Sequence, residues 1–249
     1  MYPMFALGST IVEVETDIDT LVDEVIAICR KKRLYLSSTS RKSNPYQSEG
    51  NKTIAFEIVE TLGRAPDWMV VPVGGGGTIA GIWRGFKDLY NLKRIDSLPR
   101  LVGAVPQKYN ALEIAFDQKI SDWNLVLKLP FRNVQPSILV KLAHGYPPDG
   151  MEALAAVRES GGFFASVSDE EALKGLAQIG KHEGLYVEAS TGTILPVIEK
   201  IMASDKLKGS QVLVALICGS GFRETFASLE GLPLTKATVT MKQLAQKLM

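Results

Sequence analysis

The sequence predicts an α/β protein built on a doubly wound, mainly parallel sheet. Three observations carry that prediction. Strand-like apolar runs alternate with helical periodicities along most of the chain. One run, DWMVVPV (67–73), is apolar enough for a buried strand. It opens directly into four consecutive glycines, Gly74–Gly77, ahead of an apolar helical pattern. Glycine costs a helix about 1 kcal/mol per residue relative to alanine, so four side by side require a reason.

The elements follow in order. IVEVE (11–15) alternates and is β-branched, which predicts a strand. In DIDTLVDEVIAICRKK (17–32), Ile18, Leu21, Val22, Val25, Ile26 and Cys29 share one helical face. Asp17 or Asp19 caps its start, and Arg30, Lys31 and Lys32 suit the C-terminal dipole. RLYLSS (33–38) predicts another strand, and the polar stretch TSRKSNPYQSEGN (39–51) reads as a loop. KTIAFEIVETLG (52–63) predicts a helix ended by Gly63. The helix after the glycines runs to about Tyr90; LPRLVGAVP (98–106) is a strand, followed by a helix near Asn110–Phe116. Residues 118–150 are less regular. MEALAAVRES (151–160) predicts a helix and GGFFASVS (161–168) leads into a strand. DEEALKGLAQIGKHEG (169–184) predicts a helix capped by Ser168. LYVE (185–188) then reads as a strand, 190–204 as a helix and VLVALIC (212–218) as a strand.

Composition bounds the function. With 249 residues and 46% hydrophobic content the chain buries a sizeable core in one or two domains. Its 28 basic and 27 acidic side chains nearly cancel, and no like-charge block implies nucleic acid as a partner. Cys29 and Cys218 form no CxxC pair, and His144 and His182 complete no metal-ligand spacing, so no metal is expected. No apolar run reaches the roughly 20 residues that span a bilayer, and MYPMFALGSTIVEVE lacks the basic start of a secretory signal. These features fit a reduced, cytoplasmic setting. An apolar segment begins at once, as if the pattern were entered midway.

In a doubly wound sheet, ligands bind outside the carboxyl ends of the strands. Gly74–Gly77 lie at that end of VVPV, and Thr78 opens the next helix. Glycines let backbone N–H groups approach a phosphate, the helix N-terminus favours an anion, and Thr78 adds a hydroxyl. The run therefore reads as a phosphate cradle, with a tight strand-to-helix turn as the alternative. A dinucleotide fingerprint wants an acid at the end of the next strand, where Ala104-Val105-Pro106-Gln107 has none. A P-loop wants Gly-Lys-Ser/Thr, and Gly81 is followed by Ile82.

NPYQSEGNKTIAFEI (44–58), followed by VVPVGGGGTIAGIWRGFKDL (70–89), resembles the threonine synthase family. More broadly, it resembles the fold type II, tryptophan-synthase-β-like enzymes that use pyridoxal 5'-phosphate (PLP). RLVGAVPQ (100–107), SVSDEEAL (166–173), EGLYVEASTGTILPVI (183–198) and ICGSGFRE (217–224) continue the resemblance in order. It implies that Gly74, Gly75, Gly76, Gly77 and Thr78 hold the PLP phosphate. It places Cys218 beside the pyridine nitrogen, where a neutral thiol leaves that nitrogen largely unprotonated and suits elimination or replacement. A small buried core residue is the alternative for Cys218. Glu188, Ser190 and Thr191 match the loop flanking the ring, although Ala189 stands where the family usually has proline. Asn44, Gln47, Glu49 and Lys52 match the segment between domains, with loop capping and solvated charge as their alternative.

The resemblance also implies a catalytic lysine in a Ser-x-Lys-x-Arg-like motif early in a small domain. Ser40-Arg41-Lys42 fits only superficially and lies just before NPYQ, so Lys42 reads as a solvated loop residue and the catalytic residue is unassigned. Residues 1–40 are expected to be a truncated small-domain stub and residues 41–249 the large PLP domain, roughly the first third of the family's pattern being absent. The implied function is conversion of O-phosphohomoserine to threonine and phosphate by elimination and hydration, with the chain inactive alone. An amino-acid ammonia-lyase or β-replacement enzyme, and a non-catalytic PLP or phosphate-binding module, remain the alternatives. A substrate phosphate would need a second anion site, for which Arg41, Lys42 and Lys108 are candidates, with solvated surface charge as the favoured alternative for each. The implied partners are a small amino-acid substrate, a complementing N-terminal segment or chain, and a second copy in a homodimer, with no nucleic acid and no membrane.

Overall fold

The computed structural model describes residues 2–16, 18–41, 43–126, 136–204 and 207–223. Its centre is a four-stranded parallel sheet of β1 (Trp68–Pro72), β2 (Arg100–Pro106), β3 (Phe163–Val167) and β4 (Leu213–Ala215), in the order β3-β2-β1-β4. Met69 pairs with Leu101 on one side and Val214 on the other, and Gly103 pairs with Phe164.

Every residue of β1 is buried, and successive side chains enter opposite layers. Met69, Val71 and Val73 join Leu101 and Val105 in one core, with Ile79, Ile82 and Phe86 of α5 (Gly77–Asn91) and Leu154 and Val157 of α8 (Gly150–Glu159). Trp68 and Val70 join Val102, Ala104 and Val167 in the other, with Ile194, Val197 and Ile201 of α10 (Ile194–Ala203). Each such side chain contributes about 1.5–3 kcal/mol by leaving water. Helices on both faces make the sheet doubly wound, as the alternating pattern predicts. α6 (Ala111–Asp117) follows β2 as expected.

The local signals act where they stand. α4 (Lys52–Leu62) stops at Gly63, whose φ of 70° is left-handed. α9 (Asp169–Glu183) starts on a capping box: Glu171 N–H donates to the Ser168 hydroxyl, and Ser168 N–H donates to the Glu171 carboxylate. α2 (Ile18–Lys32) turns Leu21, Val22, Val25, Ile26 and Cys29 to its half-buried side.

Several expectations are corrected. Residues 11–15 and 33–38 are not strands; neither finds a partner among the described residues, and a strand exists only through its ladder. Residues 185–188 give a single antiparallel bridge, Val187 to Ser220. The run 212–218 is a strand only over Leu213–Ala215, and the chain leaves the sheet before Gly219, whose φ is 75°. The predicted helix 190–204 is a 3-10 turn, Ala189–Thr193, followed by α10. The expected loop 39–51 contains α3 (Pro45–Gly50), with Pro45 in the first helical turn. Two short helices, α1 (Tyr2–Ala6) and α7 (Trp123–Val126), carried no helical signal that was read from the sequence. No helix among the described residues is long and apolar enough to cross a membrane.

Candidate functional site

The chain runs from β1 outward through β2 to β3, then returns to place β4 on the other side of β1. The strand order therefore reverses between β1 and β4, and the crevice outside their carboxyl ends is the expected ligand position. Gly74–Thr78 follow β1 there and Cys218 follows β4, and both line one cavity of about 270 Å³. No local pattern joins these two segments; only the family resemblance implied that they meet.

Among the described residues, the amide N–H groups of Gly74, Gly75, Gly76, Gly77 and Thr78 have no acceptor. The carbonyls are engaged instead: Gly75 accepts from Asp149 N–H at 2.8 Å and Gly76 from Ala80 N–H at 3.2 Å. Gly76 has a φ of 93° and immediately precedes α5, so the donors converge at the positive end of a 15-residue helix. Unpaired donors beside a cavity suit a phosphate group.

The four glycines also meet a second demand. A Cβ on Gly74 would lie 2.8 Å from Leu142 Cα, and one on Gly76 2.8 Å from the Asp149 carbonyl oxygen. A Cβ on Gly77 would lie 2.7 Å from Asp149 Oδ2. Segment 141–149, within the stretch read as less regular, is thus laid directly over the loop. Its Lys141, His144 and Asp149 line the cavity and were missed; the turn-forming run HGYPPDG (144–150) was the available signal.

In the same cavity, burial and the Glu188 carboxylate push the half-buried Cys218 thiol above its ordinary range, so it is neutral at pH 7. The Ser190 hydroxyl donates to Glu188 Oε1, and the Thr191 hydroxyl donates to the Cys218 carbonyl. Glu188 and Ser190 line the cavity; Thr191 supports the wall from behind. A side chain on Gly219 would run into the Glu188 carboxyl group.

The 39–52 segment divides. Gln47, Thr39 and Asn51 line the cavity. Buried Asn44 accepts a hydrogen bond from the Tyr35 hydroxyl at 3.2 Å. Lys52 turns away to Glu49 at 2.6 Å and Asp88 at 2.8 Å. Arg41 holds Glu152 at 2.7 Å beside a neighbouring cavity, and Lys108 is committed to Asp169 at 2.8 Å. Lys42 and the C-terminal part of ICGSGFRE from residue 224 lie outside the described residues. No His, Cys, Asp or Glu cluster among the described residues has a metal-binding arrangement. The lining fits a phosphorylated aromatic cofactor: unpaired amides suited to a phosphate, and a neutral thiol in the same cavity.

Comparison with known proteins identifies a family. The family model for pyridoxal-phosphate dependent enzymes matches residues 3–219. A threonine synthase of Methanocaldococcus jannaschii is 29% identical over 223 residues, which cover 89% of this chain and 53% of the relative. A threonine synthase of Mycobacterium tuberculosis is 31% identical over 219 residues, or 87% of this chain and 57% of the relative. The chain thus spans somewhat more than half the length of these curated relatives. Among solved structures, processed threonine deaminase isoform 2 of Solanum lycopersicum matches with a TM-score of 0.67 at 17% identity, over 92% of this chain and 62% of that one. Serine racemase of Dictyostelium discoideum matches with a TM-score of 0.65 at 17% identity, over 90% and 65%. At that identity the structural likeness is one of fold.

Proposed function

The chain belongs to the pyridoxal-phosphate-dependent enzyme family, and from that premise we propose that it forms the phosphate-holding and ring-facing part of a threonine-synthase-like enzyme. The reaction is loss of phosphate from O-phosphohomoserine and addition of water to give threonine. The observation that carries the reading is the row of unpaired amides from Gly74 to Thr78 lining one cavity with Cys218 at the switch-point crevice. The similarity to threonine synthases supports the choice of reaction.

When bound, pyridoxal phosphate supplies an electron sink for bonds at the substrate's α-carbon. The chain's own part is to bind and orient. The Gly74–Thr78 amides hold the phosphate, and the Thr78 hydroxyl adds a donor. The neutral Cys218 thiol supplies no negative charge to hold a proton on the ring nitrogen, which would leave that nitrogen largely unprotonated and suit elimination over chemistry that needs a fully protonated ring. Glu188 and Ser190 fix the loop beside the ring, and Thr191 fixes the backbone of Cys218.

Residues 1–40 belong, in this reading, to a small domain and residues 41–249 to the large one. The exposed Met4, Phe5, Leu7, Val12 and Val14 support cover by a further segment or chain. Among the described residues Lys141 is the lysine that lines the cavity, and its side chain is exposed. That observation favours a second reading for the isolated chain: reversible cofactor binding without turnover.

Adding PLP to the purified chain, reducing with borohydride and mapping pyridoxyl-lysine separates the two. A spectrum perturbed reversibly by PLP and restored by inorganic phosphate, with no specific adduct, supports the binding reading. A single modified lysine together with phosphate release from O-phosphohomoserine supports a complete enzyme. No perturbation at all contradicts the cofactor assignment.

A further inference from the structure

The cradle contains an anion of its own. Asp149 is only 6% exposed, and its carboxylate accepts from the Ser40 hydroxyl at 3.1 Å and from the Arg41 amide at 3.0 and 3.2 Å. Its backbone N–H donates to Gly75 at 2.8 Å, and its Oδ2 stands 2.7 Å from where a Cβ on Gly77 would be. These contacts pin the carboxylate against the N-terminal end of α5, beside the unpaired amides.

Among the described residues no cation pairs directly with it: Arg84 pulls on it and Glu152 pushes against it from a distance. Arg41 and Arg84 each hold Glu152 of α8 at 2.7 Å. Arg84 also faces Glu49 of α3 at 3.3 Å, out of line for a hydrogen bond. Two cations and two carboxylates thus neutralise one another. From the overlying segment, the His144 ring lies against Gly74, with Cδ2 3.1 Å from a Cβ position there, and Tyr146 lines the adjoining cavity. Lys141 lines the main cavity with an exposed side chain.

We propose that Asp149 sets the charge state of the anion the glycine loop accepts: a phosphate enters together with a proton, drawn from solvent and shared between phosphate and carboxylate. The inference rests on the cofactor-phosphate reading. Two acidic groups that share one small cavity cannot both be fully ionised at little cost, so their titrations would merge. Burial already pushes the Asp149 carboxyl above the ordinary aspartate range, against the opposing pull of the Arg41 amide and the Ser40 hydroxyl. Asp149 is a positioning residue here, holding the Ser40–Arg41 turn to the loop and selecting what the loop takes.

The test uses the full chain and its Asp149→Asn variant, which keeps an acceptor for Ser40 and Arg41. Sulfate, whose charge does not change over the working range, is titrated by calorimetry from about pH 5 to about pH 8, and PLP in parallel. Wild-type affinity for sulfate is expected to fall with rising pH relative to the variant. The ratio approaches one at the acid end and reaches about tenfold per pH unit above the carboxyl's titration. A ratio independent of pH, or weaker binding by the variant throughout, overturns the inference. If the variant does not fold, wild-type titrations in buffers of different ionisation enthalpy count the protons: about one taken up per sulfate near pH 7 supports it, and none overturns it. Failure of the chain to bind either sulfate or PLP removes the cradle reading as well; PLP binding with a flat ratio removes only the role of Asp149.

Discussion

Cys218 combines two features that are separable by experiment: a place at the end of β4 and a neighbouring carboxylate. Burial first, and Glu188 second, hold its thiol protonated. Alkylation of Cys218, followed by peptide mapping, is therefore expected to be slower at pH 8 than that of a simple thiol and to keep rising above about pH 9. A rate that levels off below the pH of a free thiol contradicts this environment. The sign for stability follows. The folded pKa is raised, so the contribution is present below the unfolded thiol's pKa and is lost as pH rises through the folded one. Cys218→Ser, neutral at all these pH values, is expected to bind PLP within about threefold of wild type and to lose that alkaline sensitivity. At this scale the sequence carried the glycines, because a four-glycine run is unusual in itself; Cys218 was reached only through the family resemblance, since a cysteine at the end of an apolar run is ordinarily a core residue. The sequence did not carry Asp149 or the choice of Ser190 over Thr191 as the cavity-facing hydroxyl. Those depend on how irregular segments cross, and irregular segments have no period to read.

α5 concentrates the site's demands at the element scale. Its first residues have to bend at Gly76, leave their amides free and pass beneath segment 141–149. Gly76→Ala forces a φ of 93° on an L side chain and sets its Cβ 2.8 Å from a carbonyl oxygen. A loss of about 1–3 kcal/mol is expected by urea denaturation, with PLP binding reduced at least tenfold. Full retention of both would contradict the close packing. α9 provides a contrasting case, a helix start built from side chains. Ser168→Ala is expected to cost about 1 kcal/mol in the same assay. Glu171 is held below the usual glutamate range chiefly by the Ser168 N–H, so its contribution is present above the unfolded glutamate pKa and is lost as pH falls through the folded one. The cap, Gly63 and the α5 pattern were legible because they are encoded within a few residues. IVEVE and RLYLSS were misread for the converse reason: alternation and β-branching fit a pleated surface, yet a ladder needs a neighbouring edge that no local pattern specifies.

At the scale of the whole molecule, the reversal of strand order beside β1 creates the crevice, and the chain's two most unusual features are delivered to it from residues far apart in sequence. Parallel order was legible from the alternation of elements, whereas the position of β4 was not, because strand order is set by packing of both helical layers rather than by any single run. Binding at the crevice draws on both layers, so it is expected to stabilise the entire sheet: at about one hundred times the dissociation constant, PLP adds about 2.7 kcal/mol to the unfolding free energy. Thermal unfolding with and without PLP reads this, and an unchanged midpoint under saturating cofactor contradicts it. The central claim, that the amides from Gly74 to Thr78 hold a phosphate, is tested most directly by equilibrium titration of the purified chain with PLP and with pyridoxal, which lacks only the phosphate. The account predicts that PLP binds at least tenfold more tightly, about 1.4 kcal/mol or more; equal affinities for the two would contradict it.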